Sequence, residues 1–156
     1  MEIEGNKIQH VTILQGIPAS GKSTFARREA LANPDKVVII SRDSIRSSLG
    51  KYWVPSREKL VTEIEHHTIY EALKQGYNII LDSTNLNPHF LKDIETLILK
   101  FQNKNKGISI MVHKRFFHVP LQTAIWRDRW RGLFGGRKVG KKVIEHFYER
   151  YIKDTL

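Results

Sequence analysis

Nine residues near the N-terminus have the types and spacing of a phosphate-binding loop. Gly16 to Thr24 read GIPASGKST, which matches GxxxxGK[ST], and the segment lies between a predicted strand and a predicted helix. Glycines let the backbone wrap tightly, so that successive N–H groups face anionic oxygens. Lys22 can reach the β- and γ-phosphates, and the Ser23 hydroxyl can ligate Mg²⁺. The pattern predicts a site for ATP, or another nucleoside triphosphate, with Mg²⁺, bound by Gly16, Pro18, Ala19, Ser20, Gly21, Lys22, Ser23 and Thr24.

Two acids follow predicted strands, where phosphoryl transfer needs carboxylates. Asp43 comes three residues after KVVII, and Asp82 directly follows YNIIL. A carboxylate at the first position can be a general base for an attacking hydroxyl, or it can cap the helix that follows. Asp82 has the position of an acid that acts on Mg²⁺, often through water, or of an ordinary turn acid at a strand end.

Three arginines have helical spacing relative to these groups. Arg46 is three residues after Asp43, so the two share one face of a helical turn. A guanidinium there can bind a phosphate or remain at the surface. Arg127 and Arg131 are four residues apart and share a helix face. They can bind a triphosphate or face solvent.

The apolar pattern predicts elements that bring these groups together. Strands are predicted at 10–17, 36–40, 77–81 and 107–112, and helices at 22–32, after Asp43, at 56–75, from 87, at 121–131 and at 141–153. Ser56 is expected to cap the third helix, whose apolar positions are Leu60, Ile64, Ile69 and Leu73. Alternation of strands and helices predicts an α/β fold, with a parallel sheet of about four strands and helices on both faces. Ligands bind such folds at the carboxyl ends of the strands.

Composition limits the class of protein. The 156 residues suit one domain, 1–156, with one core. Apolar runs are too short to span a membrane, and the polar first ten residues do not resemble a signal peptide. The chain has no cysteine, which excludes disulfides and thiolate metal sites and fits a cytoplasmic protein.

Positive charge is concentrated in the last third of the chain. Residues 113–142 contain nine Lys or Arg and a single acid, Asp128, which gives this segment a net charge of +8 out of +10 for the whole chain. Such a field attracts polyanions, including nucleotides and nucleic acids. A solvated basic face that aids solubility is the alternative. Tyr52, Trp53, Trp126 and Trp130 can stack on bases or pack within the protein.

Four stretches together resemble the kinase domain of phage polynucleotide 5′-kinases. They are GIPASGKSTFAR, SRDSIRSSL, DSTNLNPHF, and FFHVPLQTAIWRDRWRG followed by VIEHFYERY. The resemblance implies a P-loop kinase fold without the phosphatase domain of some members, with a helical lid at about 120–140. It also implies roles for individual residues: Lys22, Asp43 as general base and Arg131 in catalysis, Arg127 and Arg131 on the triphosphate, Arg46 on the phosphate beside the acceptor hydroxyl, Thr84 and Asn85 on the acceptor side, and Ser23 and Asp82 at Mg²⁺.

The resemblance implies transfer of the ATP γ-phosphate to the 5′-hydroxyl end of DNA or RNA, in nucleic-acid end repair. A separate ligase or 3′-phosphatase would then act with it, family members can form homo-oligomers, and a phage-encoded member would act in the host cytoplasm. Two alternatives stay open. One is a P-loop kinase for a nucleoside, sugar or antibiotic. The other is a nucleic-acid-binding module with an NTP switch site.

Overall fold

The computed structural model describes residues 7–136 and 138–153. Strands and helices alternate over most of the chain. The strands are β1 (Lys7–Gln15), β2 (Val37–Ile40), β3 (Asn78–Asp82) and β4 (Ile108–Phe116). The helices are α1 (Lys22–Ala32), α2 (Arg42–Ser48), α3 (Glu58–Lys74), α4 (Pro88–Lys104), α5 (Leu121–Leu133) and α6 (Lys141–Tyr151), and a 3₁₀ turn (Pro55–Arg57) precedes α3.

The four strands form one parallel sheet in the order β2-β3-β1-β4. Leu14 pairs in register with Asp82, and Gln15 pairs with Phe116. The carboxyl ends of β1, β3 and β4 therefore meet at one edge, where Gly16 and the residues after Asp82 begin. This is the α/β P-loop kinase fold expected from the sequence.

Apolar residues cover both faces of the sheet. On one face, Val11, Ile13, Ile79 and Leu81 pack with the inner sides of α3 and α4, including Ile69, Leu73, Ile94, Ile98 and Phe101. On the other face, Leu14 and Ile80 pack with Ala26 of α1. A third cluster joins α5 and α6 to Ile17 in the loop after β1. The phosphate-binding loop is thus fixed to both the sheet and the last two helices.

Several boundaries differ from the predicted ones. β1 covers 7–15 rather than 10–17, because the loop begins directly at Gly16. β4 continues to Phe116, four residues beyond the predicted end at Val112, along its pairing with β1. The extension was not predicted because the residues after Val112 are polar or charged. Such residues are tolerated there because this outer strand is exposed to solvent. α5 is two residues longer than predicted, and α6 ends at Tyr151.

The cap predicted for the third helix is wrong, whereas two of its four predicted apolar positions, Ile69 and Leu73, are buried. Ser56 lies in the 3₁₀ turn, and no side-chain cap hydrogen bond is made at the start of α3. The buried positions are Val61, Glu65, Ile69 and Leu73, while Leu60 is exposed. The stripe contains a glutamate because Glu65 pairs with a buried arginine. An apolar pattern cannot show a carboxylate that is buried with its partner.

Within the described residues, every helix is too short or too polar to cross a membrane.

Candidate active site

The segment after β1 folds as a tight loop that ends at the start of α1. Gly21 precedes the helix with φ 102°, a left-handed conformation that favours glycine. At Gly16 the constraint is space: a Cβ atom there would lie 2.8 Å from Ser20 Oγ and 3.0 Å from the Phe117 carbonyl oxygen. The Gly16 N–H also donates to the Thr84 carbonyl, 3.1 Å away. The loop shape is therefore set by contacts with the ends of the strands.

Lys22 lies inside this loop and is almost fully buried. Its Nζ donates to the carbonyl oxygens of Gly16 and Ile17 at 2.9 and 2.8 Å, and to Ser20 Oγ at 3.1 Å. Burial lowers the pKa of the ammonium to about 8, and the nearby charges of Asp82 and Asp43 oppose that shift. A lysine held this way is directed into the loop, where the phosphates of a nucleotide bind in this motif.

Ser23 and Asp82 form a second part of the site. The Ser23 hydroxyl donates to the Asp82 carboxylate, and burial raises the pKa of Asp82 while this hydrogen bond and Lys22 lower it. The two oxygen donors suit Mg²⁺, which usually takes only one or two protein ligands and completes its shell with phosphate and water. No group of three or more His, Cys, Asp or Glu side chains that could hold a metal ion occurs in 7–136 and 138–153.

Asp43 lies in the first turn of α2, behind its cap. The cap is Ser41, whose side chain accepts from the Ser44 N–H, so Asp43 does not serve as the N-cap. Its Oδ1 accepts from the Tyr52 hydroxyl at 2.5 Å and from Arg46 Nη1 at 2.9 Å. These two donors fix the orientation of the carboxylate.

Arg46 is held from both sides. Its Nε and Nη2 donate to the two carboxylate oxygens of Glu58, at 3.0 and 2.5 Å, while Nη1 donates to Asp43. Its guanidinium lies 5.5 Å from the centre of the exposed Trp53 ring. These hydrogen bonds keep the pKa of Glu58 below its usual value. An acceptor phosphate at Arg46 would therefore share the guanidinium with Glu58.

Buried Arg42 anchors the same region from behind. Its guanidinium pairs with Glu65 at 3.2 Å and donates to Thr62 Oγ1 at 3.0 Å. Its backbone N–H donates to Ser83 Oγ at 3.2 Å. Arg42 thus connects α2 to α3 and to the residue that follows β3.

Arg131 on α5 is positioned by a buried carboxylate. Asp128 is 1% exposed and accepts from Arg131 Nη2 at 3.1 Å. It also accepts from the backbone N–H groups of Val139 and Gly140, at 2.7 and 2.9 Å. The Arg131 Nε is buried and makes no hydrogen bond within the described structure. Such an unpaired donor suits a site that receives an anion.

Other residues expected in the lid have more open positions. Arg127 is exposed on α5, and Lys138 is exposed before α6. Arg137 lies outside the described residues. Pro18 and Ala19 line the turn of the loop, with Ala19 at φ 63°, and Thr24 is exposed at the start of α1.

Asn85, expected on the acceptor side, has a structural position instead. It is buried, and its Nδ2 donates to the carbonyl oxygens of Leu14, Leu81 and Ser83 at 2.7, 3.2 and 3.2 Å. Because the amide joins the ends of β1 and β3, Asn85 belongs to the frame of the site. Thr84 is partly buried and contributes its backbone carbonyl to Gly16.

A cavity of about 280 Å³ opens beside the loop. Apolar and aromatic groups form most of its wall, a lining that suits a planar ring. It is lined by Ile17, Phe116, Phe117, His118, Val119, Pro120, Leu121, Tyr148 and Ile152.

Four predicted site residues lie close enough for their charges to act on one another. Asp43, Asp82 and Arg131 all influence the pKa of Lys22 through their charges. Three positioning residues were not predicted: Glu58, Glu65 and Asp128. Only Asp128 had a sequence signal, because it is the single acid among nine basic residues and lies three positions before Arg131. The two glutamates lie 12 and 23 residues from their arginine partners, a separation that sequence spacing cannot interpret.

Comparisons with known proteins agree with this geometry. A family model described as AAA domain matches residues 11–147. The L-seryl-tRNA(Sec) kinase of Methanococcus maripaludis is 28% identical over 143 residues, which cover 89% of this chain. The match covers 51% of that kinase, so the chain spans about half the length of this relative.

Solved structures share the fold. A chain of the Pnkp1/Rnl/Hen1 RNA repair complex is 25% identical, with a TM-score of 0.78 over 96% of this chain and 47% of that one. A fungal RNA kinase is 15% identical, with a TM-score of 0.69 over 94% of this chain and 67% of that one. The second likeness concerns the fold alone.

Proposed function

We propose that this chain is a kinase-type phosphotransferase whose acceptor is the 5′-hydroxyl end of a polynucleotide. The chain belongs to the AAA domain family. ATP is the proposed donor, with Mg²⁺. The proposal extends from the phosphate-binding loop, which many kinases share, to the groups that face the acceptor.

The pairing of Asp43 with Arg46 is the observation that carries the proposal. The two side chains are joined at 2.9 Å on the first two turns of α2. A carboxylate suits an attacking hydroxyl, and a guanidinium beside it suits a phosphate on the same nucleotide of the acceptor. A nucleotide 5′-end with a 3′-phosphate has both groups. A sugar or a plain nucleoside has only the first.

The transfer proceeds by direct displacement. Asp43 accepts the proton of the 5′-hydroxyl as its oxygen bonds to the γ-phosphorus, and the bond from the γ-phosphorus to the bridging oxygen breaks to release ADP. Lys22 and Arg131 stabilise the negative charge on the transferring group, and Arg127 holds triphosphate oxygens when the lid closes. Tyr52 keeps the Asp43 carboxylate oriented.

Ser23 and Asp82 would hold Mg²⁺, Asp82 directly or through water. When bound, this ion supplies charge neutralisation between the β- and γ-phosphates. The hydrogen bond from Ser23 to Asp82 already keeps these two oxygen groups together on the loop side of the site.

Similar proteins support a nucleic-acid acceptor. The 25%-identical chain belongs to an RNA repair complex, and the 28%-identical relative is named as a kinase of a tRNA-linked serine. The +8 segment at 113–142 adds attraction for a polyanion. A 5′-phosphorylated end is the substrate that a ligase seals, so we expect a role in end repair beside a separate ligase or 3′-phosphatase.

Transfer of labelled γ-phosphate to a panel of acceptors tests the proposal. The panel contains 5′-hydroxyl DNA and RNA oligonucleotides, a nucleoside 3′-phosphate, plain nucleosides, gluconate and seryl-tRNA. We expect transfer to the oligonucleotides and the 3′-phosphate, and much weaker transfer to the others. Transfer to a sugar or a nucleoside with none to any oligonucleotide would establish a small-molecule kinase instead. ATP binding without transfer to any acceptor would favour the switch module.

A further inference from the structure

The outer face of α5 has a continuous set of exposed aromatic rings. Trp126, Trp130 and Phe134 are 60%, 51% and 71% exposed. The two indoles are stacked, with centroids 5.6 Å apart and planes 15° apart, and Phe134 follows at 4.7 Å from Trp130. These three residues, here called the aromatic strip, extend over two helical turns. Large rings stacked on one another in solvent form an apolar surface with a defined shape.

Positive groups flank the aromatic strip on both sides. Successive residues of a helix are about 100° apart around its axis, so Trp126 and Trp130 lie on the side of α5 nearly opposite the buried Asp128. Arg127 lies on one side of the helix between the strip and Asp128, and Arg129 lies on the other. Both arginines are exposed. On the Arg129 side, a shallow groove contains Trp126, Arg129 and Lys141.

We propose that the aromatic strip is a stacking surface for single-stranded nucleic acid, outside the phosphoryl-transfer centre. Sequence-independent single-strand binding combines aromatic rings, on which bases stack, with cations that follow the phosphates. The strip supplies the rings, and Arg129 and Lys141 in the adjoining groove supply the cations. The indoles are stacked on each other with centroids 5.6 Å apart, so each covers one face of the other. Bases therefore stack on their exposed outer surface.

Charge favours this occupant over two others. A second copy of the chain would bring its own basic lid against this one, and like charges oppose that contact. A membrane-bound amphipathic helix needs a polar face in water, whereas the face of α5 opposite the strip is buried with Ala124, Ile125 and Asp128. A flexible polyanion with ring-shaped bases satisfies both the rings and the charges.

The inference shares with the proposed function only the assumption that the chain binds nucleic acid. Its test measures binding and does not need catalysis. The probe is a fluorescein-labelled oligothymidylate of about ten nucleotides that already has a 5′-phosphate, so it is not an acceptor. Anisotropy gives Kd for the wild-type chain, for Trp126→Ala/Trp130→Ala and for Trp126→Phe/Trp130→Phe. Leu31→Ala and Leu99→Ala are matched controls, since they remove exposed leucines from α1 and α4.

The alanine variant should bind about tenfold or more weakly, the phenylalanine variant should keep most of the affinity, and both controls should match wild type. Transfer to a nucleoside 3′-phosphate, measured on the same samples, reports the kinase separately and should be unchanged in the alanine variant. An alanine variant that binds the probe within twofold of wild type overturns the proposal. The proposal is also overturned if the alanine variant loses self-association, or loses binding to anionic phosphatidylserine vesicles, while its affinity for the probe stays unchanged.

Discussion

Asp43 receives hydrogen bonds from a phenol and a guanidinium in the first turn of α2, so its carboxylate faces the site in a fixed orientation. Asp43→Asn keeps the size of the side chain and removes its ability to accept a proton. We expect kcat to fall about 10²- to 10⁴-fold with ATP affinity nearly unchanged. Tyr52→Phe should reduce kcat several-fold, because it removes one orienting donor. Single-turnover transfer and ATP titration measure both, and an active Asp43→Asn enzyme would refute the assigned base.

Arg46 has a planar fork of donors, two of which are on Glu58. In Arg46→Lys the charge remains but the fork is lost, so KM for a nucleoside 3′-phosphate should rise about tenfold. KM for ATP should stay constant. The comparison acceptor is the plain nucleoside, whose KM should not change. The kcat should fall several-fold with both acceptors, because Arg46 also orients Asp43. An equal rise in KM for both acceptors would contradict a phosphate contact at Arg46.

Lys22 should produce a pH dependence of stability that can be isolated. The pKa of Lys22 is about 8 in the folded chain, and the ordinary value of 10.5 applies to the unfolded chain. Between pH 8 and pH 10.5 the unfolded chain therefore binds one proton more than the folded chain does. The free energy of unfolding contributed by this group therefore rises with pH from about 8 to 10.5, by about 1.4 kcal/mol per pH unit. Urea unfolding at pH 8, 9 and 10 should show this slope in wild type and lose it in Lys22→Met. Identical slopes would mean that the lysine is not buried as described.

At the scale of elements, α5 and α6 are connected through one carboxylate. The Asp128 carboxylate accepts hydrogen bonds from Arg131 on α5 and from the two backbone N–H groups that directly precede α6. Asp128→Asn should destabilise the fold by about 2–3 kcal/mol and lower kcat, because Arg131 loses its support. Thermal unfolding and kcat check this. Glu145→Gln on α6, which removes an outer ion pair with Lys141, is the matched control and should change neither.

Sequence patterns predicted the elements better than their buried partners. The β-branched strands and the loop motif identified the sheet edge where Lys22 and Asp82 meet, since these signals are local. In the buried stripe of α3, Ile69 and Leu73 were predicted correctly, whereas Leu60 is exposed and the buried Glu65 gives no apolar signal. Glu58, Arg42 and Asn85 act through contacts between distant segments, and no spacing rule reveals such contacts. Local chemistry was therefore visible in the sequence, whereas the frame that supports it was not.

At the scale of the whole molecule, the net charge of +10 should govern association with long acceptors. Each phosphate contact to a single strand contributes a slope of about −0.7 to the plot of log affinity against log salt. We expect KM for a 5′-hydroxyl oligonucleotide to rise steeply between low and moderate KCl concentrations. KM for a nucleoside 3′-phosphate, which makes few such contacts, should rise little. Parallel salt series on both acceptors measure the difference, and equal slopes would exclude an extended polyanion surface.

The close approach at Gly16 has a further consequence for nucleotide binding. Because the loop backbone rests against Phe117 and Ser20, its curvature exists before any ligand arrives. A preorganised loop loses little conformational entropy when it binds phosphates. Any side chain at this position, even a methyl group, would push the loop away from β4 and damage the affinity for nucleotide before it damaged the fold.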